Sequence, residues 1–207
     1  MKKMHLATAS LVLLMGFTAC DNSGSSTTTT DSSSTTTSNS TNSADSANSS
    51  ANNTSTATTT GTPLSTQDST FVMKAAMGGM MEVEGGNTAQ QNAANDRVKA
   101  FGTMMVNDHS KANSELMSLA QQHGLMVPTT LPADMQNHLK EMGNMKGASF
   151  DKHYMGMMVS DHAKDIAEFE KQANNGNDPD LKAWAAKTLP TLRMHADSAT
   201  AINKAIK

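Results

Sequence analysis

Only one cysteine stands in the 207 residues, Cys20. It has no partner for an internal disulfide, and the rest of the chain has no thiol for nucleophilic catalysis or metal ligation. Aromatic residues make up 3% of the chain, with one Trp and one Tyr, so any core must be built from aliphatic and methionine side chains. Positive charge is scarce as well. Lys and Arg number 16 against 19 Asp and Glu, and they gather in no stripe or aromatic-studded patch, which leaves nucleic-acid binding without support. No glycine-rich phosphate loop is legible, and no strand–turn–helix elbow places Ser110 or Ser160 as a nucleophile. No segment alternates as a half-buried strand would.

Apolar residues are missing from a long internal stretch. From Asp21 to Thr62 no apolar side chain larger than Ala appears; Ser, Thr, Asn, Ala, Asp and Gly fill the interval, and Pro63 and Leu64 follow. Such a segment cannot bury enough surface to offset its ordering entropy, and residues 21–64 are expected to form a disordered tether. A flexible chain of about 43 residues reaches roughly 35 Å. Ahead of it, Lys2 and Lys3 precede an apolar run from Leu6 to Phe17 that is too short to span a bilayer as a helix and has the form of an export signal. It ends Phe17-Thr18-Ala19-Cys20, small residues before a cysteine, as in a bacterial lipobox. Residues 1–20 are therefore read as a lipoprotein-type signal, with Cys20 lipidated and the protein anchored to a membrane of the cell envelope, facing periplasm or exterior. A plain secretory signal cut near Ala19 is the alternative.

What remains, residues 65–207, has helical periodicity. Five helices are expected, at about Asp68–Ala93, Asp96–His123, Ala133–Met142, Ala148–Asn174 and Asp178–Ile206, with caps at Ser65 or Thr66, Asn95 and Asn177. Gly124 ends the second, Pro179 suits the first turn of the last, and Pro190 lies inside it. The apolar stripes run through Phe71, Ala75, Gly78, Glu82, Gly85 and Ala89 on the first and through Val98, Phe101, Met105, His109 and Leu116 on the second. On the fourth the stripe includes Met155, Met158, His162 and Phe169, and on the last Leu181, Ala185, Leu192, His195 and Ile202. Four long amphipathic helices joined by two short turns and one longer connection, with the short helix in that connection, make an all-α four-helix bundle. Glycines at 78, 79, 85 and 86 are costly in a helix and point to close approach of a neighbour.

One phrase occurs twice. MMVNDHSK begins at Met104 and MMVSDHAK at Met157, six of eight positions being identical. Each places its His on an apolar stripe. With Glu82 on the first helix and His195 on the last, every long helix aims one ligand-type side chain inward. By helical rise Glu82 and His109 should share a layer, whereas His195 is expected to lie about 7 Å out of register with His162. Two arrangements satisfy such a set. One is a single transition metal, Zn, Cu or Fe, on Glu82, His109, His162 and His195, with Asp108 and Asp161 orienting imidazoles from behind. The other is a hydrogen-bonded polar layer that fixes register and does no chemistry.

These motifs also carry a resemblance. The run Phe71-Val72-Met73-Lys74-Ala75-Ala76-Met77-Gly78-Gly79-Met80-Met81-Glu82 resembles the opening of the bacterial domain-of-unknown-function 4142 family. So do Val98-Lys99-Ala100-Phe101, Asp108-His109, Phe150-Asp151 with Tyr154-Met155, Asp161-His162, and Leu189-Pro190-Thr191-Leu192 with His195. The likeness covers residues 68 to 200. It implies an exported envelope protein with a ferritin-like bundle and no established activity. A ferritin-type di-iron centre needs Glu three residues before its His ligands, and Val106, Val159 and Leu192 occupy those places, so the dinuclear ligand set is absent. A non-catalytic binding or structural role is favoured, with a metal-dependent oxidoreductase, or a copper-sequestering protein built on Met and His, as the alternatives. Met73, Met77, Met80 and Met81 gather on one helix, and Met155, Met157 and Met158 on another. Thioethers suit Cu(I), but methionine is also an adaptable core filler.

Cells fed a labelled lipid precursor should place label on the wild-type chain and none on Cys20→Ala. Label persisting in the variant would remove the anchor.

Overall fold

The structure, a computed structural model, describes residues 61–206. The export signal, Cys20 and the tether as far as residue 60 lie outside the described residues. The expected helices form as α1 Thr66–Asn92, α2 Asp96–Gln122, α3 Ala133–Gly143, α4 Gly147–Asn175 and α5 Pro179–Ala205. No strand occurs among the described residues, and no helix there is long and apolar enough to cross a membrane. The folded part starts before Ser65: Gly61 N–H donates to Gln122 O at 3.0 Å, and Leu64 packs on the core.

Helix ends follow local chemistry. Ser65 Oγ accepts the N–H of Asp68 and Asn95 Oδ1 that of Arg97. The cap of α5 is Asp178, not Asn177: its carboxylate accepts the N–H groups of Asp180 and Leu181, since it immediately precedes Pro179 at the first helical position. Asn177 instead donates its backbone N–H to Asp68 and its side-chain amide to Ser65 Oγ. Gly124, with φ of 69°, takes the left-handed conformation that stops α2.

Two buried carboxylates set the topology. Asp151, near the start of α4, accepts the N–H groups of Ala94 and Asn95 in the α1–α2 turn at 3.1 and 2.9 Å. Asp68, near the start of α1, accepts those of Asn177 and Asp178 in the α4–α5 turn and the Gln172 amide. The start of each hairpin thus ties down the turn of the other. α4 therefore runs antiparallel to α1 and parallel to α2, and the chain from α2 to α4 must return along the bundle. That single long crossover, carrying α3 against α1 and α4, is the ferritin-like connection. α1 packs chiefly on α2 and α4, and α5 on α4 and α2, so α2 and α4, which bear the repeated phrase, are diagonal partners.

The core is in two pieces. One cluster, around Phe101, Met105, Phe150, Tyr154, Met155 and Met158, lies toward the α1–α2 turn. The other, around Phe71, Leu116, Phe169, Leu181, Trp184 and Leu192, lies toward the α4–α5 turn. α1 buries a wider face than its stripe forecast, with Val72, Ala76, Gly79 and Gly86 included, because it packs on two neighbours at once. Two of the four glycines expected at a close approach are at one. A Cβ on Gly86 would stand 2.6 Å from Gly102 O, and one on Gly102 2.7 Å from Gly86 O; Gly79 faces the Asn113 side chain. Gly85 has only ordinary contacts, and Gly78 has open space.

Gly86→Ala should therefore lower the unfolding free energy by about 1–3 kcal/mol, overriding the roughly 1 kcal/mol that Ala gains in helix propensity. Urea unfolding measures it; a variant more stable than wild type would show that α1 and α2 can part at no cost.

Candidate metal centre

Between the two apolar clusters the four long helices bring Glu82, His109, His162 and His195 together. All four are buried, His162 and His195 completely. The ring centroids of His109, His162 and His195 are 5.3 to 5.8 Å apart. One ring nitrogen from each lies within 4.8 Å of the other two. His195 is thus in register after all. Counted from the helix ends at Asn175 and Pro179, it lies deeper than His162 by the same few residues by which His109 lies deeper than Glu82. Counting from mid-turn overstated the offset.

Each imidazole is held by one nitrogen and left bare at the other. His109 Nδ1 donates to Glu82 Oε2 at 2.9 Å, His162 Nδ1 to the Met158 carbonyl at 3.0 Å, and His195 Nε2 to Asp108 Oδ2 at 2.9 Å. Every acceptor is oxygen, so the nitrogen facing it must carry the proton. In a neutral ring the other nitrogen then offers a lone pair. Those nitrogens, His109 Nε2, His162 Nε2 and His195 Nδ1, are all buried with no partner. Glu82 Oε1 is also without a hydrogen bond: it is 3.4 Å from His162 Nδ1, but the proton there points to Met158.

Glu82 stands behind His109 as its orienting carboxylate and is not among the clustered donors. Asp108 orients His195 on α5, across the bundle, and not its neighbour His109. Asp161 touches no imidazole; it pairs with Lys164 at 3.0 Å near the surface. Phe101 lies 6.2 to 6.5 Å from the rings of Tyr154, His162 and His195 and closes the layer on the side of its cluster.

One residue escaped the sequence reading. Asp165, one turn beyond His162, lines a cavity of about 20 Å³ together with Glu82, His109, Asn113 and Thr188. Burial, with repulsion from Glu82 and Asp161, raises its pKa to about 7. The available signal was spacing: Glu82 and Asp165 are offset as Asp68 and Asp151 are. A larger hollow, about 1030 Å³, is a groove beneath the connector between α2 and α3 and touches none of the four layer residues.

Charge in the layer is self-compensating. Burial works against the Glu82 anion, but the attraction and hydrogen bond of His109, aided by His162 and His195, overcome it and hold the carboxyl below its ordinary value. Burial likewise opposes a charged His109, and Glu82 outweighs it, raising the pKa. For His162 and His195 burial prevails and the pKa falls, favouring neutral rings.

The family model described as "Domain of unknown function (DUF4142)" matches residues 53–202. The chain belongs to the DUF4142 family. Among solved structures, this DUF4142 chain is similar to the "Crystal structure of DUF305 fragment from Deinococcus radiodurans", with a TM-score of 0.60 at 9% identity, covering 69% of this chain and 98% of that one. The likeness is one of fold, the ferritin-like helical bundle. No curated protein matches.

Stability of the metal-free chain should therefore have two limbs. His109 contributes fully below its ordinary 6.5 and loses that contribution as pH rises through its raised value. His162 and His195 contribute above 6.5 and lose theirs as pH falls through their lowered values; Glu82 does so at lower pH. Asp165, raised to about 7 partly by Glu82, is only half ionised there, so it adds to the same alkaline decline as His109. Urea unfolding at stepped pH should show that alkaline decline in wild type and a flatter one in Glu82→Gln. An equal decline in both would refute the pairing.

Proposed function

We propose that this protein is an exported, lipid-anchored envelope protein whose bundle holds one transition-metal ion on His109, His162 and His195, in a binding rather than catalytic role. The observation that carries the metal is the set of three bare ring nitrogens. Nearly all buried polar groups in proteins are hydrogen-bonded, and although Tyr154 Oη and Trp184 Nε1 are unpartnered singly, three such imidazole nitrogens in one layer favour a bound ion over a layer that only fixes register. Here each ring is held at one nitrogen by an oxygen acceptor and has its second nitrogen unpartnered, the pattern in which outer carboxylates and carbonyls orient histidine ligands. Three imidazoles suit Zn(II), and also Cu and Fe. In a tetrahedral Zn site nitrogens bound at about 2.0–2.1 Å stand roughly 3.3 Å apart, so the rings would draw together on loading.

Binding also answers the charge problem. The buried Glu82 anion needs a cation beside it. Without metal, a proton on His109 supplies it; with metal, the ion replaces that proton, so affinity rises with pH. The binding role rests on enclosure. The cavity beside Glu82 and His109 has about 20 Å³, room for about one water and no organic substrate. Three protein ligands leave a fourth position, which this water can fill. Export and the anchor rest on the reading of residues 1–20, and the oxidoreductase alternative would need a path to the layer wider than this cavity.

The full chain, purified without a tag and supplemented with Zn(II) or Co(II), should hold one ion per chain by elemental analysis. His162→Gln and His195→Gln should abolish stoichiometric uptake, and Asp108→Asn should weaken it about 10–100-fold. Wild-type protein free of metal after supplementation, or full loading of the His variants, would overturn the proposal.

A further inference from the structure

Two histidines and a methionine come together where α3 packs on α4, apart from the residues of the buried layer. His138 Nε2, from α3, stands 3.1 Å from Met157 Sδ, on α4. The ring of His153 lies with its centroid 5.9 Å from that of His138, tilted by 43°. His153 and Met157 are four residues apart on α4, the spacing that puts two side chains on one helix face. The approach of α3 to this face is fixed from elsewhere: Asn92, at the end of α1, donates its amide to the carbonyls of Gly143 and Met145, holding the α3–α4 corner.

We propose that His138, His153 and Met157 form a second metal site, one that takes a soft monovalent cation of the Cu(I) class. The donors are two imidazole nitrogens and a thioether sulfur, a neutral set. Thioether ligation selects Cu(I) over hard divalent ions, which seek carboxylates and carbonyls. Without a carboxylate among its donors the site offers nothing to neutralise a second positive charge. It differs from the buried layer in access too. His153 is exposed, His138 and Met157 are half-buried, and a Cβ on neighbouring Gly156 would meet nothing within 4 Å, so α4 is open beside the α3 contact. Met157 also differs from its helix neighbours Met155 and Met158, which are fully buried core residues with sulfurs committed to packing. Met157, half-buried at the edge of that core, thus stands where α3 supplies an imidazole. The buried layer would hold its ion in a closed site; this one could exchange its ion with solvent or a chelator. It does not depend on the buried layer binding metal.

The test uses Ag(I), a redox-inert stand-in for Cu(I), titrated into the full chain while the methionine methyl resonances are followed by NMR. Expected is a shift of the Met157 methyl that saturates at one Ag(I) per site, with Met157→Leu and His153→Gln each weakening Ag(I) binding about tenfold or more, since ligand loss should cost at least as much as loss of an orienting partner. Because the signal belongs to Met157, uptake of Ag(I) by the buried layer does not mimic it. A Met157 methyl that does not move, or a Met157→Leu chain with wild-type Ag(I) affinity, would show that the 3.1 Å contact is an N–H···S hydrogen bond and no more.

Discussion

The structure turns on a carboxylate that has been taken out of water. Glu82 is buried among three imidazoles in the middle of the bundle, where an uncompensated anion would cost several kcal/mol. Its charge is met by a proton on His109 or, in the loaded state proposed above, by an ion bound to the rings. Everything around it keeps those rings in place: the Met158 carbonyl behind His162, Asp108 behind His195, Phe101 over the top. Breaking the apolar core into two clusters is the cost of that arrangement.

The two hairpins make the layer possible by locking each other. Asp68 and Asp151 sit at equivalent places near the starts of α1 and α4, and each closes the turn of the opposite hairpin. The same offset relates Glu82 to Asp165 and the caps Asn95 and Asp178. The structural repeat is therefore hairpin on hairpin. The repeated octapeptide follows a different relation, since α2 and α4 are parallel and diagonal, and it delivers His109 and His162 to the centre from opposite corners. Close contact of Gly86 with Gly102 lets α1 and α2 approach near enough for Glu82 to reach His109.

Much of this was legible in the residues. Helical periodicity, turn signals and caps gave five helices within a few residues of their observed ends, and a ligand-type side chain on each apolar stripe marked the layer. What was not legible depended on side-chain rotation and on neighbours remote in sequence. That Glu82 stands behind His109 instead of among the donors follows from which ring nitrogen it meets. That Asp108 serves His195 follows from which helix lies across the groove, and Asp161, in the same place in the repeated phrase, has only Lys164 within reach. Asp165 was passed over because a stripe of apolar residues does not reveal a carboxylate at its margin. His138 carried no signal in the sequence, since its approach to Met157 exists only once α3 docks.

The central claim is that two of the buried rings are neutral and fixed in opposite tautomers, each with its lone pair free. Long-range proton–nitrogen correlation spectra of the metal-free full chain at mildly alkaline pH read this directly. Expected are His162 protonated at Nδ1 and His195 protonated at Nε2, each with a bare second nitrogen. Either ring doubly protonated, or His162 carrying its proton on Nε2, would contradict it.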